Sequence, residues 1–291
     1  MIDYCRYPPY YQVLKAKKEC YPDQSAITVT EYNVKIDLQA ILNKTAERLL
    51  LRLGNEIESR LQHGKEQHLT LYAKWGCDGA SGFTEYKQRF HIDSQRDSNI
   101  FFSSFVPLRL LDSTNMEDVL WDNDRPGSSC WCRPLHLQFC AETDEVIRNE
   151  CSRIGNEIDQ LKPYEGWIKS SKILVSFLLF LTMIDGKCVN SLTNTSSAQR
   201  CYACKATISE FNNIEKMYTL EINEEYLNYG ISSLHGWIRC FECIIHIAYR
   251  LEFKRWRKSG YETQFEAAKK SIQVSTNENA KNLFIIFFYL G

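Results

Sequence analysis

The sequence predicts an α/β protein, and three observations carry that prediction. Leu69, Leu71, Ala73 and Trp75 alternate with more polar neighbours at the period of a half-buried strand. ILVSFLLFLTMI, residues 173 to 184, is an apolar run rich in β-branched and aromatic residues; it reads as a strand buried on both faces and is too short to span a bilayer. Two stretches carry helical periodicity instead. Leu38, Ile41, Leu42, Leu49, Leu53, Ile57 and Leu61 form one stripe, and Ile147, Cys151, Ile154, Ile158 and Leu161 form another that starts near Glu142 and stops at Lys162-Pro163.

In chain order, residues 1 to 33 are rich in Tyr, Pro and Lys without periodicity and read as a loose lead-in. One long amphipathic helix, or two joined near Gly54, follows, with His63-Gly64 as the stop, and then the alternating strand, after which comes Asp78. FTEYKQRFHI, NIFFSSFVPLRLL and CWCRPLHLQF read as three further strands. A Ser/Thr/Asn-rich loop from Asn190 to Arg200 leads into Cys201-Tyr-Ala-Cys204, and a last helical pattern runs from Leu234 to Leu251. The predicted organisation is an N-terminal lead-in and helical segment over 1–66, a sheet-bearing core over 67–191, a largely helical insertion over 192–260 and a tail over 261–291.

Composition narrows the function classes. The chain begins MIDYCRYPPYY, with neither a basic nor an apolar leader region, so it reads as intracellular. Its 12 cysteines are then expected to be reduced, which favours metal binding over disulfides. A net charge of −1 leaves nucleic-acid binding to local patches.

Two acids follow apolar strands. Asp78 comes after the alternating strand amid Gly76, Gly79 and Gly82, and Asp185 after the run 173–184, just before Gly186. Strand-Asp-Gly is first of all a turn signal. If the two strands are parallel, however, both carboxylates emerge at the carboxyl edge of the sheet, where ligands of α/β proteins collect. Two carboxylates there repel unless a cation such as Mg²⁺ bridges them. Cys201 and Cys204 are half of a zinc site, and Cys240-Phe-Glu-Cys243 is a competing second half, although cysteines on an apolar helical pattern are more often core residues. Cys130 and Cys132 are too close together for the usual zinc spacing. Lys254, Arg255, Arg257 and Lys258, interleaved with Trp256, are candidate contacts to a phosphate backbone.

Four ordered stretches, LYAKWGCDGASGFTEYKQ, CRPLHLQFCAET, LTMIDGKCVNSLTNTSSAQRCYAC and LNYGISSLHGWIRCFECIIHIAYRLEFKRW, carry a resemblance. The chain resembles the Transib transposases and the catalytic core of vertebrate recombination-activating protein one, from about the first helix to residue 270. The resemblance implies an RNase H-like mixed sheet with a zinc-binding, largely helical insertion. It also implies a DDE active site that cuts and joins DNA with two Mg²⁺ or Mn²⁺ ions. Asp78 and Asp185 match the first and second catalytic acids, Glu142 an auxiliary acid, and Cys201 and Cys204 the cysteine half of a Zn²⁺ site. The implied partner is double-stranded DNA at transposon terminal repeats, the implied location the nucleus, and the implied assembly a homodimer with no membrane attachment. The family's third acid and the two His of its zinc site have no match before the chain ends, and residues 274–291 match nothing. The expectation is a truncated copy or gene-model read-through with little strand cleavage alone. The alternatives are a non-catalytic DNA- or protein-binding remnant, or a structural zinc protein with Cys201, Cys204, Cys240 and Cys243 as ligands.

Overall fold

The computed structural model describes residues 8–60, 66–81, 99–197, 199–211 and 213–230, together with Trp237, Cys240, Phe241 and Ile244. The chain divides into one unit of Met1–Pro126 with Cys132–Gly230 and another of Gly127–Trp131 with Ile231–Gly291. Every element named below belongs to the first.

Its elements in order are α1 (Tyr10–Glu19), β1 (Ile27–Val29), β2 (Asn33–Ile36), α2 (Leu38–Arg60), β3 (Gln67–Ser81), β4 (Asn99–Asp112), β5 (Val119–Asp122), β6 (Arg133–Gln138), α3 (Asp144–Asp159), β7 (Tyr164–Ile168), β8 (Ser171–Leu181), α4 (Gly186–Leu192), α5 (Ile208–Phe211) and α6 (Ile214–Met217). The strands form one mixed sheet in the order β1-β2-β6-β4-β3-β8-β7, with β5 paired to β4. β3 and β8 are parallel, from Gln67↔Ile173 to Trp75↔Leu181, and every other pairing is antiparallel.

The sheet is ordered around β3. Its odd-numbered side chains Leu69, Leu71, Ala73, Trp75 and Cys77 are all buried, as the alternation predicts. They meet three packed groups in turn. Leu69 and Leu71 pack with Leu49, Leu50, Leu53 and Ile57 of α2. Ala73 and Trp75 pack with Leu38, Ile41 and Leu42 of α2 and Ile154 of α3. Cys77 packs with Ile147 of α3 and with Ile184, Cys188 and Val189 around α4. Burying each Leu of that row contributes about 1.5–3 kcal/mol, so packing on the helices is what holds β3 in register.

The helices predicted from the Leu38 and Ile147 stripes form, each on a side-chain cap, while most of the helical pattern from Leu234 to Leu251 lies outside the described residues. The Asp37 carboxylate accepts the Ala40 N–H at 2.7 Å at the head of α2, and Thr143 Oγ1 accepts the Val146 N–H at 3.3 Å at the head of α3. Asp144 and Glu145 add favourable negative charge to the first turn of α3.

Three expectations are corrected. β3 does not stop before Asp78: β4 pairs with it through Asp78↔Phe102 to Ser81↔Asn99, so cross-strand pairing overrides the turn propensity of the glycines. β8 is buried on one face only. Ile173 and Val175 are covered by α2, whereas Leu178 and Phe180 on the other face are 41% and 42% exposed, and Phe180 stacks on Tyr72 at 6.0 Å. The lead-in is not uniformly loose. β1 and β2 extend the sheet through β6, and strands of three and four residues are too short to show a period.

The predicted strand over 83–92, the basic cluster Lys254, Arg255, Arg257 and Lys258, and the tail 274–291 lie outside the described residues. No helix among the described residues is long and apolar enough to cross a membrane.

Candidate functional site

β8 delivers its acid by crossing the end of its pairing with β3. The Thr182 and Met183 N–H groups both donate to Trp75 O, at 3.2 and 3.0 Å. The chain then passes so close to Gly76 that a β-carbon there would lie 1.8 Å from Met183 O, so only glycine fits. Asp185 follows as the cap of α4, its Oδ1 accepting the Cys188 N–H at 2.8 Å.

Glu142 reaches the same place from the chain between β6 and α3. A β-carbon on Gly79 would fall 2.3 Å from Glu142 Cβ, so the glutamate lies directly against β3. Its Oε2 pairs with Lys187 Nζ at 2.7 Å, and that ammonium also donates to Glu142 O at 3.1 Å. The carboxylate holds the Lys187 ammonium above its ordinary pKa. The Cys188 thiol, fully buried, lies 3.6 Å from Glu142 Oε1 and 3.5 Å from Cys77 O. One ligand atom each from Glu142, Asp185 and Cys188 lies within 4.8 Å of the others, a grouping that could hold a metal ion. Two hard oxygens and one soft sulfur do not by themselves fix the metal.

Of the predicted acids, the fold therefore brings Glu142 and Asp185 together. Asp78 lies on β3 one residue before Gly79, exposed, and is not part of that grouping among the described residues. Because successive positions of a strand point to opposite faces, its side chain leaves the sheet on the face away from the Gly79 position that Glu142 covers.

α3 and α4 are locked to each other behind the acids. Ser191 Oγ donates to Asp144 Oδ1 at 2.5 Å, and Arg148 Nε and Nη2 donate to Ser191 O and Asn194 Oδ1, both at 3.0 Å. Asn194 has φ 50°, a left-handed conformation that Asn tolerates better than most residues.

Cys201 and Cys204 sit on one tight turn. The Lys205 N–H donates to Cys201 O at 2.8 Å and the Cys201 N–H to Ala206 O at 2.9 Å, with Lys205 at φ 60°. Burial, and the Cys201 thiol beside it, push the Cys204 thiol up. The turn is tied to the end of α4, since Lys205 Nζ donates to Thr193 O at 2.9 Å and to Thr195 Oγ1 at 2.7 Å. Cys240 is exposed on a helical residue of the second unit, and Cys243 lies outside the described residues.

Two features have no clear signal in the sequence. Cys188 joins the acids because it is the third residue after a capping Asp, a relation visible only once α4 is known. The buried Glu150 accepts from Ser103 Oγ at 2.5 Å and from Arg153 Nη2 at 2.6 Å, and its Oε2 lies 3.1 Å from His136 Nδ1, linking β4, β6 and α3. Burial pushes its carboxyl up, but the hydrogen bonds from His136, Arg153 and Ser103 and the Arg153 charge more than reverse this and leave it at about 2.

No protein-family model matches the chain, and no curated protein matches it.

Proposed function

We propose that the chain is a part of the catalytic core, bearing the first two acids, of a DDE-type DNA transposase or recombinase, an RNase H-like protein of the nucleus whose partner is double-stranded DNA. The observation that supports this most is the parallel pairing of β3 with β8, which brings the end of the strand bearing Asp78 and the chain bearing Asp185 to one edge of the sheet. The order β6-β4-β3-β8, antiparallel up to β3 and parallel after it, agrees with that reading.

In this reading Asp78 and Asp185 would hold Mg²⁺ or Mn²⁺ with Glu142 as an auxiliary acid, which requires the Asp78 carboxylate to come round the end of β3 to the face that Glu142 and Asp185 occupy. A cation bound there supplies Lewis-acid polarisation of a phosphoryl oxygen and an activated water. Asp185 is suited to its part: one carboxylate oxygen is fixed by the Cys188 N–H, which sets the direction of the other. Lys187 neutralises Glu142 and supplies a positive charge where a DNA phosphate would approach. Cys201 and Cys204 contribute two of four ligands to a structural Zn²⁺, and Lys254, Arg255, Arg257 and Lys258 contact the DNA backbone.

The test is Mn²⁺ binding, by titration calorimetry on the full chain with a terminal-repeat duplex present. Asp78→Asn and Asp185→Asn are each expected to weaken binding at least tenfold. Unchanged Mn²⁺ affinity in both variants would overturn the proposal.

A second reading, a non-catalytic DNA-binding remnant of a transposase, is favoured by one observation: Lys187 already sits on Glu142, and the strand pleat separates Asp78 from the Glu142–Asp185–Cys188 grouping. It predicts duplex binding that neither substitution alters and that needs no divalent cation.

A further inference from the structure

Four cysteines share one packed group beneath the end of β3, three of them on regular elements and the fourth, Cys140, in the chain between β6 and α3. Cys77 comes from β3, Cys188 from α4 and the partly buried Cys151 from α3, and they share that group with Phe101, Ile147, Ile184 and Val189. Cys77 lies beside the Cys151 and Cys188 thiols, whose interaction with it, added to burial, pushes its own thiol up, and all three are free thiols. They differ in access: Cys77 is 2% and Cys188 0% exposed, whereas Cys151 is half-buried. They differ in direction as well. The Cys188 sulfur is turned toward the Cys77 carbonyl oxygen, at 3.5 Å, and toward Glu142 Oε1, at 3.6 Å.

We propose that Cys77 and Cys151 form an oxidative modification site, in which a hydroperoxide converts the pair to a disulfide joining β3 to α3. The half-buried Cys151 is the sulfur that a small oxidant reaches. Its attack on the peroxide breaks the O–O bond, forms an S–O bond and releases water, or an alcohol from an organic peroxide, leaving a sulfenic acid. The Cys77 sulfur then attacks the Cys151 sulfur; the S–S bond forms, the S–O bond breaks, and the hydroxyl leaves as water with the Cys77 proton. Two electrons pass from the two sulfurs to the peroxide, and a dithiol reverses the change by exchange. Cys77 precedes Asp78, so the cross-link ties the strand bearing that acid to α3.

The sequence makes the test direct, because trypsin leaves the three cysteines on separate peptides: residues 75–87 for Cys77, 149–153 for Cys151 and 188–200 for Cys188. The full chain is treated with hydrogen peroxide, free thiols are blocked with iodoacetamide, and the digest is read by mass spectrometry with and without dithiothreitol. The expected result is a dithiothreitol-sensitive 75–87/149–153 cross-link, formed at least tenfold more than any 75–87/188–200 species. Cys77→Ser is expected to leave Cys151 as sulfenic or sulfinic acid, trapped by dimedone or seen as added oxygen. A wild-type digest without the cross-link, or one in which Cys188 takes the place of Cys151, overturns the proposal whatever the variant does.

Discussion

Gly79 and Glu142 touch across the end of β3, with no room for a β-carbon between them. Gly76 is in a tighter version of the same position, except that its neighbour is the carbonyl of Met183 and not a side chain.

That difference predicts an order of effects. In Gly79→Ala the added methyl group meets Glu142 Cβ, which no rotamer change can move, so the chain between β6 and α3 must shift off β3 and the variant is expected to lose the Glu142–Lys187 pair and about 1–3 kcal/mol. In Gly76→Ala the methyl group meets backbone held by two hydrogen bonds to Trp75 O, and the loss is expected to be larger. Urea unfolding of the two variants checks this. A Gly79→Ala variant at least as destabilised as Gly76→Ala would show that the Met183 crossing is not fixed as described.

Glu150 makes the fold acid-sensitive in a defined window. Its carboxyl lies at about 2 in the folded protein against an ordinary value of 4.5, so the native state favours the charged form. The stability from this lowered value is complete above pH about 4.5 and is lost as the pH falls toward 2, with a magnitude of roughly 3 kcal/mol. Glu150→Gln should be less stable at neutral pH, because it leaves Arg153 without its closest buried partner. Its unfolding free energy should also fall less steeply than that of the wild type between pH 4.5 and 2. Parallel slopes across that window would remove Glu150 from the acid response.

The site was legible in the sequence where it depends on strand period and on chain direction. The alternation of Leu69 to Trp75 identified the buried face of β3, and the apolar run before Asp185 implied a partner strand whose end could meet it. The same run concealed which face of β8 is covered, because Leu178 and Phe180 are as apolar as Ile173 and Val175, and only the position of α2 separates them. Asp78 read as a turn residue because three glycines surround it; its place inside β3 depends on β4, which no local pattern around residue 78 reveals. The contacts of Cys188 and Glu150 were illegible for another reason. Their partners Glu142 and Ser103 lie 46 and 47 residues away, and no periodicity links them.

Lys205 connects the Cys201–Cys204 turn to the helix capped by Asp185. Its ammonium donates to Thr193 O and Thr195 Oγ1, lies 5.1 Å from the centre of the Tyr226 ring, and projects from a residue at φ 60°. Lys205→Met keeps the length and the apolar stem of the side chain but removes both donors, so the cysteine turn and α4 should loosen while the sheet does not. Hydrogen exchange followed by mass spectrometry is expected to show faster exchange over residues 186–206 and unchanged protection in β3, β4 and β8. Lys205→Gly separates the two contributions: it relieves the left-handed backbone, which glycine adopts without penalty, and still loses the brace. If the brace dominates, both variants exchange faster over residues 186–206. If backbone strain dominates, Lys205→Gly is protected at least as well as the wild type, and the link between the cysteine turn and α4 is then carried by the backbone alone.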